Sequence, residues 1–211
     1  MEALAFIHHG LRYAGKGTFT RDDYHGAIIH GDLKEENFLL TWTFQPLPQL
    51  KLADFGAARL AGSRDGRILP GTDCYHAPED AAIYGDLKPR AVSSRLWQEM
   101  INRRTIASDI YAFGLMVHMF ACGERNPIKI GTDPSTLRIP EEYGTSGLLE
   151  LLQKMLAVDP ADRAVASFDG EHGVMGEINK MRDARDRLIS ARQLPGPAEW
   201  AFRAPKGHHA S

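Results

Sequence analysis

The chain has 211 residues, 43% hydrophobic and 25% charged, which is the composition of a soluble globular protein long enough to bury one sizeable core. A formal charge of −2 and an isoelectric point near 6.5 exclude a nucleic-acid or membrane-surface binder driven by bulk electrostatics, so neither partner is expected. Two cysteines, Cys74 and Cys122, exclude a disulfide framework, no secretory signal is visible, and the longest apolar stretch is too short to span a bilayer, so an intracellular, cytoplasmic location is expected, with the nucleus left open.

Leu4, Ile7 and His8 recur at helical spacing and predict a helix over residues 1–9, entered without a cap. Gly10 to Thr20, with glycines at 10, 15 and 17, reads as a loop. Asp22, Asp23 and His25 are read as a solvated acidic loop in preference to a metal site, because no second ligand cluster stands at metal spacing. Ile29 to Leu40 then puts a carboxylate (Asp32), a lysine (Lys34) and a carboxamide (Asn37) into one short loop. Such a set can take a proton from an attacking hydroxyl, neutralise a phosphoryl group and ligate magnesium, so the stretch reads as a phosphoryl-transfer loop.

Phe38–Thr41 and Leu50–Ala53 predict two strands of a hairpin, joined by a long connection in which Pro46 and Pro48 forbid a regular ladder. Asp54-Phe55-Gly56 follows, and the polar segment from Gly62 to Pro70, with Arg64 and Arg67, suits a mobile surface loop. Asp80 to Ala107 carries no clear period beyond a helix around residues 93–101. The apolar run Ile110 to Cys122 predicts a buried helix capped by Ser108 or Asp109 and stopped by Gly123. Leu148, Leu151, Leu152, Met155 and Leu156 predict an amphipathic helix running to Pro160, and Ile178 to Arg192 a third with a narrower stripe.

In order and spacing these motifs resemble the C-terminal lobe of eukaryotic protein kinases. His30-Gly31-Asp32-Leu33-Lys34-Glu35-Glu36-Asn37 resembles the catalytic loop, Asp54-Phe55-Gly56 the metal-binding motif, and Ala77-Pro78-Glu79 the end of the activation segment. They are spaced by 22 residues from Asp32 to Asp54 and 25 from Asp54 to Glu79. The resemblance implies a mainly α fold: a helical bundle around a buried central helix with a small β-hairpin at the catalytic loop. That lobe would span residues 1–192, with a flexible tail over 193–211.

It also implies ATP and Mg²⁺ as cofactors and a protein Ser/Thr hydroxyl as substrate. Asp32 would be the catalytic base, Lys34 would neutralise the γ-phosphoryl group, and Asn37 with Asp54 would hold the metal. Thr72 would hydrogen-bond Asp32 and Lys34, and Leu39 would lie beneath the adenine. Lys34, two residues after Asp32, is the Ser/Thr-kinase pattern. Glu79 and Arg163 resemble a buried ion pair, Asp109 resembles the aspartate that holds the catalytic-loop backbone, and His30 and Phe55 are expected to stack.

Three features depart from the family pattern. Gly31 stands where regulated kinases carry Arg, which argues against loop phosphorylation as the main switch. No Gly-rich loop or strand lysine precedes the catalytic loop, so the chain as given is catalytically incomplete, as a truncated gene product would be, and a partner or further segment supplying the N-terminal lobe is expected. Thirty residues separate Glu79 from Asp109, more than such lobes usually need. Two alternatives therefore stay open: a non-catalytic interaction module, and a small-molecule phosphotransferase of the choline or aminoglycoside type, which also carries His-Gly-Asp.

Overall fold

The computed structural model describes residues 1–22, 26–41, 48–63, 71–80, 99, 103–123, 128–129 and 131–193. Asp23 and His25, the 42–47 connection, the Arg64 and Arg67 loop, the helix expected around 93–101 apart from residue 99, and the tail after Gln193 lie outside them.

Helix α1 (Glu2–His9) buries Leu4, Ala5, Ile7 and His8, as its spacing predicts. It ends at Gly10, whose left-handed φ of 68° lets its N–H return to Phe6 O at 2.8 Å. No other residue fits there, since a Cβ on Gly10 would lie 2.1 Å from Asp22 O.

The loop expected over Gly10–Thr20 is corrected: it is an antiparallel hairpin, β1 (Leu11–Gly15) with β2 (Thr18–Arg21). Tyr13 faces Phe19 with ring centroids 5.3 Å apart, and the glycines make a tight turn in which Gly15, Lys16 and Gly17 all have positive φ. The hairpin is held by distant residues. Phe19 meets Phe168 at 5.1 Å, Asn179 Nδ2 donates to Gly17 O at 2.9 Å, and the Arg182 guanidinium lies 4.5 Å over the Tyr13 ring.

Two further pairs complete the described β-structure. β3 (Ile28–Ile29) pairs with β6 (Arg59–Leu60), and β4 (Phe38–Thr41) pairs with β5 (Gln49–Leu52), the predicted hairpin, in the register Phe38 to Leu52 and Thr41 to Gln49. The β-structure is therefore more than the one hairpin expected.

The central helix α2 (Ile106–Cys122) begins earlier than predicted. Its cap is Thr105, not Ser108 or Asp109: Thr105 Oγ1 accepts from Ala107 N–H, and Ser108 Oγ accepts from Thr105 N–H, a reciprocal box. Ser108 and Asp109 are thereby placed inside the first turn. Ile110, Tyr111, Leu115, Met116 and Met119 are buried along its length, but Phe120 is 61% exposed, so the helix is not covered all round. Gly123 terminates it with φ of 66°.

Helix α3 (Leu148–Met155) presents Leu151, Leu152 and Met155 to α2, and a Cβ on Gly114 would lie 3.0 Å from Leu156 Cδ2, so the two helices approach through a glycine. It stops at Met155, short of Pro160. The following turn aims the carbonyls of Ala157 and Val158 at Arg163 instead. Helix α4 (Met175–Ser190) starts three residues before the predicted Ile178, with Met175 fully buried in the core. No helix among the described residues is long and apolar enough to cross a membrane.

Candidate active site

The catalytic-type loop leaves β3 at Ile29 and closes in a 3₁₀ turn, Glu35–Asn37, that leads into β4. Its backbone is gripped by one buried carboxylate. Asp109 Oδ2 accepts from His30 N–H at 2.7 Å and Oδ1 from Gly31 N–H at 2.9 Å, while His8 Nε2 donates to Oδ2 at 3.0 Å. Asp109 reaches them because it sits in the first turn of α2, where the helix dipole also favours a negative charge. The fully buried His30 ring donates through Nε2 to Ala53 O at 3.0 Å, leaving Nδ1 to accept from Asp32 N–H at 3.4 Å. Phe55 meets His30 edge to face, with centroids 5.0 Å apart.

These contacts present the Asp32 carboxylate to a ring of donors. Thr72 Oγ1 donates to Oδ1 at 2.9 Å, and Lys34 Nζ lies 2.9 Å from Oδ2 while also donating to Thr72 Oγ1 at 3.1 Å. Asn37 Nδ2 donates to the Asp32 carbonyl at 2.7 Å and more weakly to Oδ2 at 3.4 Å. Asp32, Lys34, Asn37 and Thr72, spread over about forty residues of sequence, form one connected cluster. Burial pushes the Asp32 carboxyl up, but the hydrogen bonds from Lys34, Thr72 and Asn37, with the Lys34 charge, outweigh it and hold the group below its ordinary value. The bond to Asp32 in turn raises Lys34, so both groups are charged at neutral pH.

Asp54 stands beside this cluster, since Ala53 N–H donates to Asn37 O at 2.9 Å. Its backbone is left-handed, φ 58°, and its Oδ1 accepts from Gly56 N–H, which fixes the side chain of an exposed residue. With the Asn37 amide nitrogen committed to Asp32, the oxygens left to offer are the Asn37 carboxamide oxygen and Asp54 Oδ2. Both are hard donors of the kind that suit Mg²⁺, so the residues present fit a magnesium ion. Leu39 is 54% exposed on β4.

The activation-type segment is anchored below the site. Arg163, 1% exposed, grips Glu79 with Nη1 at 2.7 Å and Nη2 at 2.9 Å, and Ser108 Oγ adds a third bond to Glu79 at 3.1 Å. The guanidinium also donates to the carbonyls of Ala157, Val158 and Ala107 and lies 5.0 Å over the Tyr111 ring. Burial, followed by a hydrogen bond to Glu35, drives the Tyr75 hydroxyl well above its usual range, so it stays protonated and ties the segment to the catalytic loop.

Sequence reasoning missed three contributors. His8 was visible only as part of a helical stripe, and the Tyr75–Glu35 bond had no local signal. Arg104, which donates to Gly31 O at 3.2 Å, comes from the stretch with no readable period.

A model of the protein kinase domain matches residues 23–172. Human receptor-interacting serine/threonine-protein kinase 3 is 27% identical over 165 residues, covering 70% of this chain and 28% of that protein. The Aurora kinase of Yarrowia lipolytica is 30% identical over 148 residues, 66% of this chain and 34% of that protein. Serine/threonine-protein kinase dkf-1 of Caenorhabditis briggsae is 27% identical over 186 residues, 85% of this chain and 23% of that protein. The chain thus spans about a third or less of the length of these relatives. Because the family match covers well over half of its residues, the chain belongs to the protein kinase family.

Proposed function

We propose that this chain is the catalytic lobe of a serine/threonine protein kinase, in which Asp32 accepts the proton of a protein Ser or Thr hydroxyl as the ATP γ-phosphoryl group is transferred. The observation that carries the reading is the cluster itself: a charged carboxylate and a charged lysine on a loop fixed by Asp109, with a threonine from a second segment, each within 3.1 Å of the next. Asp32 retains acceptor capacity for a substrate hydroxyl, since a carboxylate offers about four lone-pair sites. Thr72 and Lys34 orient it, and Lys34 also supplies a cation for the transferred oxygens. Asn37 and Asp54 would hold Mg²⁺, whose charge neutralises the phosphates when bound. The Ser/Thr preference follows from Lys34 at two residues after Asp32 and agrees with the names of the relatives.

The test is transfer of labelled phosphate from Mg-ATP to a generic protein by the full chain, with and without an added kinase N-terminal lobe. The expected result is label on serine or threonine that Asp32→Asn abolishes. A folded chain that transfers nothing even with the added lobe would leave a non-catalytic interaction module. Label on choline or an aminoglycoside in place of protein would make it a small-molecule phosphotransferase.

A further inference from the structure

Arg104 is buried, 8% exposed, and immediately precedes the cap of α2. Its Nη1 donates to Gly31 O at 3.2 Å, its Nη2 lies 3.4 Å from His76 Nδ1, and its Nε lies 3.6 Å from Asp80 Oδ2. Its own carbonyl accepts from Arg59 Nη2 at 2.8 Å, so its backbone is held as well as its side chain. Gly71 packs against the same guanidinium. At φ of 72°, a Cβ on Gly71 would lie 3.0 Å from Gly31 O and 3.1 and 3.4 Å from the two terminal guanidinium nitrogens.

Gly31 directly precedes Asp32, and Gly71 directly precedes Thr72. One guanidinium therefore touches both segments a single residue upstream of the two ends of the Thr72–Asp32 hydrogen bond. A planar fork with several donors can bond a carbonyl on one side while resting on a glycine and an acid on others, which a lysine ammonium cannot reproduce. Resting on the reading of Asp32 as proton acceptor, we infer that Arg104 is a positioning residue of the phosphoryl-transfer site, whose guanidinium holds Gly31 against Gly71 and so keeps Thr72 Oγ1 in hydrogen-bond reach of Asp32.

The discriminating variant is Arg104→Lys, which keeps the charge beside Asp80 and removes the fork. Two readouts are made on the full chain. In the first, three-bond couplings of the Thr72 side chain report its χ1, without ATP or turnover. Wild type gives a single rotamer, locked by Asp32 and Lys34. Arg104→Lys gives averaged couplings within an otherwise native amide spectrum. In the second, the transfer assay, Arg104→Lys lowers kcat about tenfold, the size of one lost hydrogen bond to a charged group, with KM for Mg-ATP little changed. Thr72→Val with Arg104→Lys is then no slower than Thr72→Val alone, because both act through one contact.

Unchanged Thr72 couplings in Arg104→Lys overturn the inference, as does full additivity of the two substitutions in kcat. If Arg104→Lys does not fold, Gly71→Ala, whose Cβ enters between the Gly31 carbonyl and the guanidinium, carries the same expectations. A chain that transfers no phosphate but shows averaged couplings would retract the kinase reading and leave the positioning contact standing.

Discussion

The ion pair between Glu79 and Arg163 allows the sharpest prediction about stability. Glu79→Gln keeps the size of the side chain and its hydrogen-bonding oxygen but removes the charge that balances a guanidinium whose side chain is fully buried. Breaking one partner of a buried pair costs about 3–5 kcal/mol, because the remaining ion stays desolvated. Here Arg163 keeps its carbonyl acceptors at Ala157, Val158 and Ala107 and the face of Tyr111, which points to the lower end, about 3 kcal/mol. Against a typical domain stability of about 5–15 kcal/mol that is a large share. Adding Arg163→Met to Glu79→Gln removes the stranded charge, so the double variant should be more stable than the sum of the singles by about 1–3 kcal/mol. Urea unfolding followed by circular dichroism, at constant m-value, measures all three differences. A loss below about 1 kcal/mol for Glu79→Gln, or strict additivity, would refute the argument that an uncompensated buried charge dominates.

Two other predictions use different groups. Thr72→Val, which deletes the donor to Asp32 and the acceptor from Lys34, should lower kcat in the transfer assay by about tenfold or more while leaving KM for Mg-ATP nearly unchanged; a rise in KM alone would count against its role. Asp80 is pushed up to about 7 by burial, with Arg104 opposing and Glu79 assisting, and its Oδ1 has no hydrogen-bond partner among the described residues. A carboxyl whose folded value lies above its unfolded value of 3.8 stabilises fully below that pH and loses the contribution as pH rises through about 7. Wild type should therefore lose stability relative to Asp80→Asn between pH 4 and 8, and a difference that stays flat over that window in urea titrations would contradict the assignment.

How much of this was legible depends on where each contact's partner lies. The catalytic-type loop, the β4–β5 hairpin and the core of α2 are local patterns, and their residues alone carry them. The β1–β2 hairpin is not a local pattern, because its glycines look like a loop. What makes them a turn is a packing surface of Phe168, Asn179 and Arg182, far along the chain. Ser108 and Asp109 are good caps by type and point to a later start for α2. Thr105 takes the cap instead, and this frees Asp109 to turn toward His30 and Gly31. Arg104 had no signature, since what matters about it is a carbonyl 73 residues earlier.

The position of that helix start has a wider consequence. Arg104 reaches Gly31, Ala107 O receives Arg163, Ser108 Oγ donates to Glu79, and Asp109 holds His30 and Gly31. All four come from the six residues 104–109 around the α2 cap. An α-helix rotates about 100° per residue, so a one-residue slip in the register of α2 would swing Asp109 away from the loop and disturb the other three contacts together. The reciprocal Thr105–Ser108 box favours the observed start of the helix. The backbone on which Asp32 stands is thus held by contacts that all come from the start of the central helix.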